Sequence, residues 1–163
     1  MRAAGIGEGM ICMKTKVMID TNILVYAYDL STENKQKAAF HVLNHLIDLG
    51  VGVVSPQILG EFFVVTTRKI PEPLTVQEAF ERVQRFCQLW PVLELNEMVV
   101  CEAIRGVRDH QLSYWDAQVW ASARLNQVKL VLSEDFSSNS SLEGVLFVNP
   151  LLPGFDIRTA FTY

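Results

Sequence analysis

The 163-residue chain is poor in cysteine, carries no excess of basic charge and has no long apolar run. Its three cysteines, Cys12, Cys87 and Cys101, are odd in number and stand at no ligand spacing. That pattern excludes a disulfide scaffold and a cysteine zinc site, and it implies a reducing compartment, the cytoplasm, with the thiols expected in the interior. A formal net charge of -4 excludes a broad basic surface that holds nucleic acid by charge alone. Nucleic acid stays open as a ligand if metal ions neutralise a local group of acids. No apolar stretch approaches the roughly 20 residues needed to span a bilayer, so no membrane segment is expected. Residues 1–15 are Gly- and Ala-rich without a continuous apolar centre, unlike a secretory signal. They read as a flexible extension, with Met10 and Met13 as alternative starts. There is no Gly-x-Ser-x-Gly elbow and no Walker-type loop. Nor is there an internal repeat, a domain-sized linker or a low-complexity block.

What is present fits one globular domain: half of the residues are apolar and a fifth charged. Lys16-Val17-Met18-Ile19-Asp20-Thr21-Asn22 reads as a short buried strand ending in a carboxylate, with Thr21 or Asn22 able to cap the segment that follows. From Lys35 to Leu49, Ala39, Val42, Leu43, Leu46 and Ile47 recur at helical spacing, and Gly50 stops the helix. Val51–Val54 is a second strand. Ser55 as cap and Pro56 in the first turn open a helix that runs to about Lys69 and carries Glu61. Pro71 and Pro73 break the chain. Thr75-Val76-Gln77-Glu78 resembles a capping box, ahead of a helix with Phe80, Val83, Phe86 and Cys87 on one face. Pro91–Leu95 is a third strand. Asn96 caps a helix to about His110, with Val100, Ile104 and Val107 expected inward. Ser113 opens a helix to about Asn126 with Val119, Trp120 and Ala123 inward. Leu130–Leu132 and Val145–Val148 are the fourth and fifth strands, separated by a polar loop at 137–141. The tail beyond Pro153 has no clear pattern. Short apolar strands alternating with helices imply a parallel sheet covered on both faces, a three-layer α/β/α domain.

Four acids fall at comparable places in this plan. Asp20 and Asp135 follow the first and fourth strands. Glu61 and Asp116 lie in the opening turns of helices that start at the same, carboxyl edge of the sheet, where such folds keep their ligands. Several carboxylates buried together cannot all stay ionised without a counter-charge. An all-oxygen site selects hard cations such as Mg²⁺ or Mn²⁺. His41, His45 and His110 sit on helix surfaces away from the acids. His41 and His45, four apart, have no protease-type Glu between them, so a solvated face is the plainer reading. Carboxylate-held ions suit phosphodiester hydrolysis by a metal-activated water, without a protein nucleophile.

Each acid also has an ordinary explanation. Asp20 can be a turn or cap residue. Glu61 can be solvated on its helix, Asp116 can complete a Ser-x-x-Asp cap with Ser113, and Asp135 can cap the turn before Phe136. It is their occurrence together at one sheet edge that favours a site. Tyr114, Trp115 and Trp120 read as core packing rather than base-stacking platforms. Arg68, Lys69, Arg105, Arg108 and Arg124 read as solvated, with some able to line a phosphate path.

Met18-Ile19-Asp20-Thr21-Asn22, Glu61 after Ser55-Pro56-Gln57, Leu112-Ser113-Tyr114-Trp115-Asp116-Ala117, Leu132-Ser133-Glu134-Asp135-Phe136 and the Gly144–Pro150 segment together resemble the PIN-domain ribonucleases. The likeness is strongest to VapC-type toxins of bacterial toxin–antitoxin modules, and it spans about residues 16–152. The resemblance implies a five-stranded parallel sheet of order 3-2-1-4-5. It implies Mg²⁺- or Mn²⁺-dependent endoribonuclease activity that leaves a 5′ phosphate and a 3′ hydroxyl. It places the metal-holding, catalytic acids on Asp20, Glu61, Asp116 and Asp135, with Asn22 and Ser133 orienting carboxylates. It also implies a homodimer silenced by a small antitoxin, whose Arg or Lys would suit an acidic pocket. Residues 1–15 are surplus to the family pattern, and Glu134 beside Asp135 competes for the fourth position.

Two other classes remain. One is a non-catalytic RNA- or protein-binding module on the same fold, which does not need all four acids. The other is an aspartyl-phosphate phosphatase, whose chemistry wants a second Asp two residues after the first, where this chain has Asn22.

Overall fold

A computed structural model describes residues 15–160. The expected extension at 1–15 lies, apart from Thr15, outside the described residues. The chain runs β1 (Val17–Ile19), α1 (Thr21–Tyr26), α2 (Glu33–Leu49), β2 (Gly52–Val53), α3 (Pro56–Arg68), α4 (Val76–Leu89), α5 (Glu97–His110), α6 (Tyr114–Leu125), β3 (Leu130–Leu132), β4 (Ser140–Leu142) and β5 (Val145–Val148). The local signals for the helices hold. Ser55 Oγ accepts from the Ile58 amide with Pro56 at the helix start, Thr75 and Glu78 close a reciprocal capping box, and Gly50 ends α2 at φ 65°.

The strands pair in the order β2-β1-β3-β5-β4. β1 lies parallel to β2 and β3, and β3 lies parallel to β5. The expected order of the predicted strands is kept, with two departures at the edges. Pro91–Leu95 contributes only one parallel bridge, Val54 to Val92. Pro91 has no amide hydrogen to donate, and the strand it meets stops at Ser55, which is committed to capping α3. At the other edge, part of the polar loop becomes β4, antiparallel to β5. Its two-residue turn, Glu143-Gly144, has φ of 46° and 84°, the doubly left-handed geometry of a tight hairpin. The sheet is therefore not wholly parallel.

β1 and β3 are buried at every residue, as central strands covered on both faces must be. The register sets Ile19 beside Leu132, so the chain leaves both strands at one level: Asp20 N donates to Leu132 O at 3.0 Å and Ser133 N to Val148 O at 3.0 Å. The connections from β1 lead one way to β2, while β3 joins from the other side. That reversal opens a crevice at the carboxyl ends of β1 and β3.

The helices form two packed sets, α1 to α4 and α5 with α6. In α5 the inward residues are Val99, Ala103 and Gly106, not Val100, Ile104 and Val107; Ile104 is 56% exposed. The small stripe wins because α5 lies directly on Trp120 of α6. A Cβ on Gly106 would stand 2.9 Å from Trp120 Cζ3, leaving no room for a larger side chain. In α4, Ala79 and Phe86 are buried while Phe80 and Cys87 face out. Cys87 and Cys101 are thus exposed thiols, contrary to the expected burial, and Cys12 lies outside the described residues. In the tail, Ile157 is buried and joins the core. No helix among the described residues is long and apolar enough to cross a membrane.

Candidate active site

The crevice is built from the ends of β1 and β3 and the opening turns of α3 and α6. Asp20 is the N-cap of α1: its Oδ1 accepts from the Thr21 amide at 2.7 Å. The cap role foreseen for Thr21 or Asn22 therefore falls to Asp20 itself, and the turn leaves its other oxygen facing β3. There Ser133 Oγ donates to Asp20 Oδ2 at 2.6 Å. The Asn22 amide donates to Asp135 Oδ2 at 2.9 Å, with Ser133 Oγ at 3.2 Å and Asp20 Oδ2 at 3.3 Å also in reach. Glu134 N in turn donates to Asn22 Oδ1 at 3.2 Å, which fixes the way the Asn22 amide points. One amide therefore holds the two strand-end carboxylates side by side.

Glu61, on the second turn of α3, is held from two sides. Thr21 Oγ1 donates to its Oε2 at 3.0 Å, and Gln57 Nε2 donates to its Oε1 at 2.9 Å. The same Gln57 nitrogen reaches Trp115 O at 3.2 Å, tying α3 to the start of α6. Thr21 and Gln57 were not foreseen as site residues. Gln57 had a signal, since it stands four residues before Glu61 on one helix face; Thr21 had none beyond adjacency to Asp20. Asp116 accepts from Ser113 Oγ at 2.7 Å, and its own amide donates back to that oxygen at 3.2 Å, so Ser113 caps α6 while the reciprocal bond of a capping box, from the Ser113 amide, is replaced by one from its hydroxyl.

Glu61, Asp116 and Asp135 line one open cavity of about 720 Å³ together with Gln57, Lys69 and Trp115. Asp20 is buried beside it, 5% exposed. Glu134 points elsewhere. It pairs with Lys35, whose ammonium also meets the Tyr26 hydroxyl. Partial burial would raise the Glu134 carboxyl, but the hydrogen bonds from Lys35 and Tyr26 hold it below its usual range. Of the two neighbouring acids it is Asp135, and not Glu134, that lines the cavity. Trp120 is fully buried as expected, whereas Trp115 is 59% exposed at the cavity and not part of the core. His41 and His45 meet edge to face on α2, and His110 bonds Glu143; none of the three lines the cavity.

Burial pushes the Asp20 carboxyl up to about 6 from an ordinary 3.8, against the hydrogen bonds from Ser133 and the Thr21 amide, with the Asp135 and Glu61 carboxylates adding to the rise. A carboxyl whose affinity for a proton is higher in the folded state binds more protons there, so its contribution to stability falls as pH rises through that window. Asp20→Asn removes the effect. The stability of Asp20→Asn relative to the parent protein should therefore increase by about 3 kcal/mol between pH 3 and pH 7 in metal-free buffer, as read by urea unfolding. A difference independent of pH would contradict this.

The PIN-domain family profile matches residues 17–137. The chain belongs to the PIN-domain family. No curated protein sequence gives a significant match. Among solved structures, the PIN domain here is similar to a chain of a toxin–antitoxin complex from Klebsiella pneumoniae, with a TM-score of 0.60 at 15% identity over 83% of this chain and 98% of that one. It is similar to the sarcin–ricin-loop-cleaving toxin VapC20 of Mycobacterium tuberculosis, with a TM-score of 0.57 at 16% identity over 74% and 90%. It is also similar to a chain of VapBC2 from Rickettsia felis, solved bound to a promoter DNA fragment, with a TM-score of 0.58 at 11% identity over 80% and 96%. At these identities the likeness is one of fold.

Among the described residues of this PIN domain, no three His, Cys, Asp or Glu side chains form a ready-made metal cage. The donor set nevertheless suits a hard cation. The side chains are oxygen donors, three carboxylates share one cavity, and the fourth, Asp20, has its proton affinity raised chiefly by burial and further by two of the others. Gln57 Oε1 is a buried acceptor without a donor. Such a group costs on the order of 1–3 kcal/mol until something, such as the water of a bound ion, donates to it.

Proposed function

We propose that this PIN domain, about residues 16–152, is a Mg²⁺- or Mn²⁺-dependent endoribonuclease acting as the toxin of a toxin–antitoxin pair. The observation that carries the reading is the placing of Glu61, Asp116 and Asp135 on one cavity, with Asp20 beside it at the switch point of the sheet. Asp20, Glu61, Asp116 and Asp135 would hold the ion or ions. When bound, such ions lower the pKa of a coordinated water and stabilise the departing oxygen.

The protein's own groups do the positioning. Asn22 holds Asp20 and Asp135 next to each other, and Ser133 keeps Asp20 turned toward them. Thr21 and Gln57 fix both oxygens of Glu61. Ser113 fixes Asp116. Preorganisation of this kind spares the site the cost of gathering charges when substrate arrives. The cavity is open on one side, as a polymer substrate requires. Relatives of similar fold are solved as toxin–antitoxin complexes, which supports a small antitoxin as partner. The carboxylates lining the cavity suit a partner arm bearing Arg or Lys. We further propose a cytoplasmic homodimer.

The reading is tested by incubating the protein with a mixed RNA pool in Mg²⁺, in Mn²⁺ and in EDTA, and mapping the new ends. Cleavage in either metal but not in EDTA, with ligatable 5′ phosphates and 3′ hydroxyls, is expected. Metal-independent cleavage, or ends carrying a cyclic phosphate, would reject it. No cleavage, with Mn²⁺ heats that do not depend on these carboxylates, would favour a non-catalytic binding module.

A further inference from the structure

Trp115 is the feature of the cavity that the metal chemistry leaves unused. It stands in the first turn of α6, one residue before Asp116, and 59% of it is exposed. The exposed indole stands at an acidic cavity whose lining also includes exposed Val64 and Leu95, and it offers a flat apolar face with a polar edge to whatever enters. It is also held still. Its carbonyl accepts from Gln57, the Tyr114 ring stands edge-on to it at 5.1 Å, and the helix behind it is anchored by the fully buried Trp120. Exposed Val64 and Leu95 continue the same apolar wall. Lys69 lines the cavity as well, and it also lines the adjoining hollow on the side of Asn22.

We propose that Trp115 is a stacking platform for an unpaired nucleobase next to the scissile phosphate, with the Lys69 ammonium meeting a backbone phosphate. This rests on the nuclease reading above. The occupant must offer a flat apolar face to the indole and an anion to the lysine within one cavity, and a nucleotide carries both. A base inside a duplex has both faces covered by its neighbours and cannot offer one. Stacking on an aromatic side chain tolerates any base, so Trp115 selects strandedness rather than sequence. Trp115 is therefore a specificity residue that touches substrate, while Asp20, Glu61, Asp116 and Asp135 serve the reaction.

The protein carries its own reporter. Of its three tryptophans, Trp90 is 3% and Trp120 0% exposed, so a change in indole fluorescence on adding nucleic acid reports Trp115. A short mixed-sequence RNA strand is titrated into the full chain with Ca²⁺ in place of Mg²⁺, the strand being checked for integrity afterwards, alongside the same strand annealed to its complement. The single strand should quench the indole, and the duplex should not. Trp115→Ala should weaken binding and raise KM by on the order of tenfold, with kcat held within about twofold. Trp115→Phe should recover most of the affinity, and Phe80→Ala, which removes an exposed ring from α4, should change nothing. Absence of quenching, equal quenching by duplex, or an unchanged KM in Trp115→Ala each overturns the proposal and leaves the wall to a protein partner. The two readings fail separately. Metal-dependent cleavage with an unchanged KM in Trp115→Ala removes the platform and keeps the nuclease; quenching without any cleavage keeps the platform and removes the nuclease.

Discussion

Asp20→Asn and Asp116→Asn should each lower metal-dependent RNA cleavage by on the order of 10²–10³, the scale on which one preorganised electrostatic group matters to a transition state. Neither change should unfold the protein. In Asp20→Asn the shape of the side chain is kept and its carbonyl still accepts from the Thr21 amide, so the turn into α1 is preserved. Stability and activity then move in opposite directions at neutral pH, because the substitution removes a carboxyl whose ionised form burial disfavours. A variant broken by misfolding would lose both. In Asp116→Asn the Ser113 hydroxyl keeps an oxygen partner, so the opening turn of α6 is preserved. Initial rates on a defined RNA, together with circular dichroism, check both variants. Cleavage at the parent rate by both would remove the assignment of these acids.

Trp120→Ala should cost about 3–5 kcal/mol, the usual range for truncating a fully buried large aromatic. Trp120 is the largest of the fully buried side chains. It fills the space above Gly106 and donates from Nε1 to Leu142 O at 3.2 Å. The Arg105 guanidinium stands 5.1 Å from its ring centroid. On the side of α5 the ring faces Gly106, which has no side chain to move into the gap. Against a typical total of about 5–15 kcal/mol this is a large fraction. The urea midpoint should fall steeply with little change in slope, since the same surface is exposed on unfolding. A loss below about 1 kcal/mol would mean that the α5–α6 contact is not where the stability of this layer resides. The same helix carries Trp115 and Asp116 in its first turn, so residual folded Trp120→Ala should also cleave more slowly.

The parts of the molecule legible in the sequence were those governed by local chemistry. Ser55, Thr75, Asn96 and Ser113 each cap the helix they precede, because a short side-chain oxygen ahead of an amphipathic run satisfies amides that otherwise have no partner. Asp20 and Asp135 were placed together by strand periodicity and the rule that parallel strands keep their carboxyl ends on one edge, and Asn22 bonds them both. The parts that were not legible depend on which partner arrives. The inward face of α5 was assigned to its bulkier residues, yet tertiary packing against Trp120 selects the small ones. β4 is polar and pairs on one edge only, so it has no apolar alternation to read. Trp115 has the apolar bulk of a core residue, and only its place in the first turn of α6, at the cavity, exposes it. That Glu134 turns away from the cavity depends on Lys35, which is far away in sequence and tied to Glu134 only by the fold.

The most direct measurement of the central claim is anomalous diffraction from crystals soaked in Mn²⁺. Peaks in the cavity lined by Glu61, Asp116 and Asp135, on the side of Asp20, and lost in Asp20→Asn, are the expected result. Full Mn²⁺ occupancy elsewhere with none in that cavity, in a protein that still cleaves RNA, would contradict it.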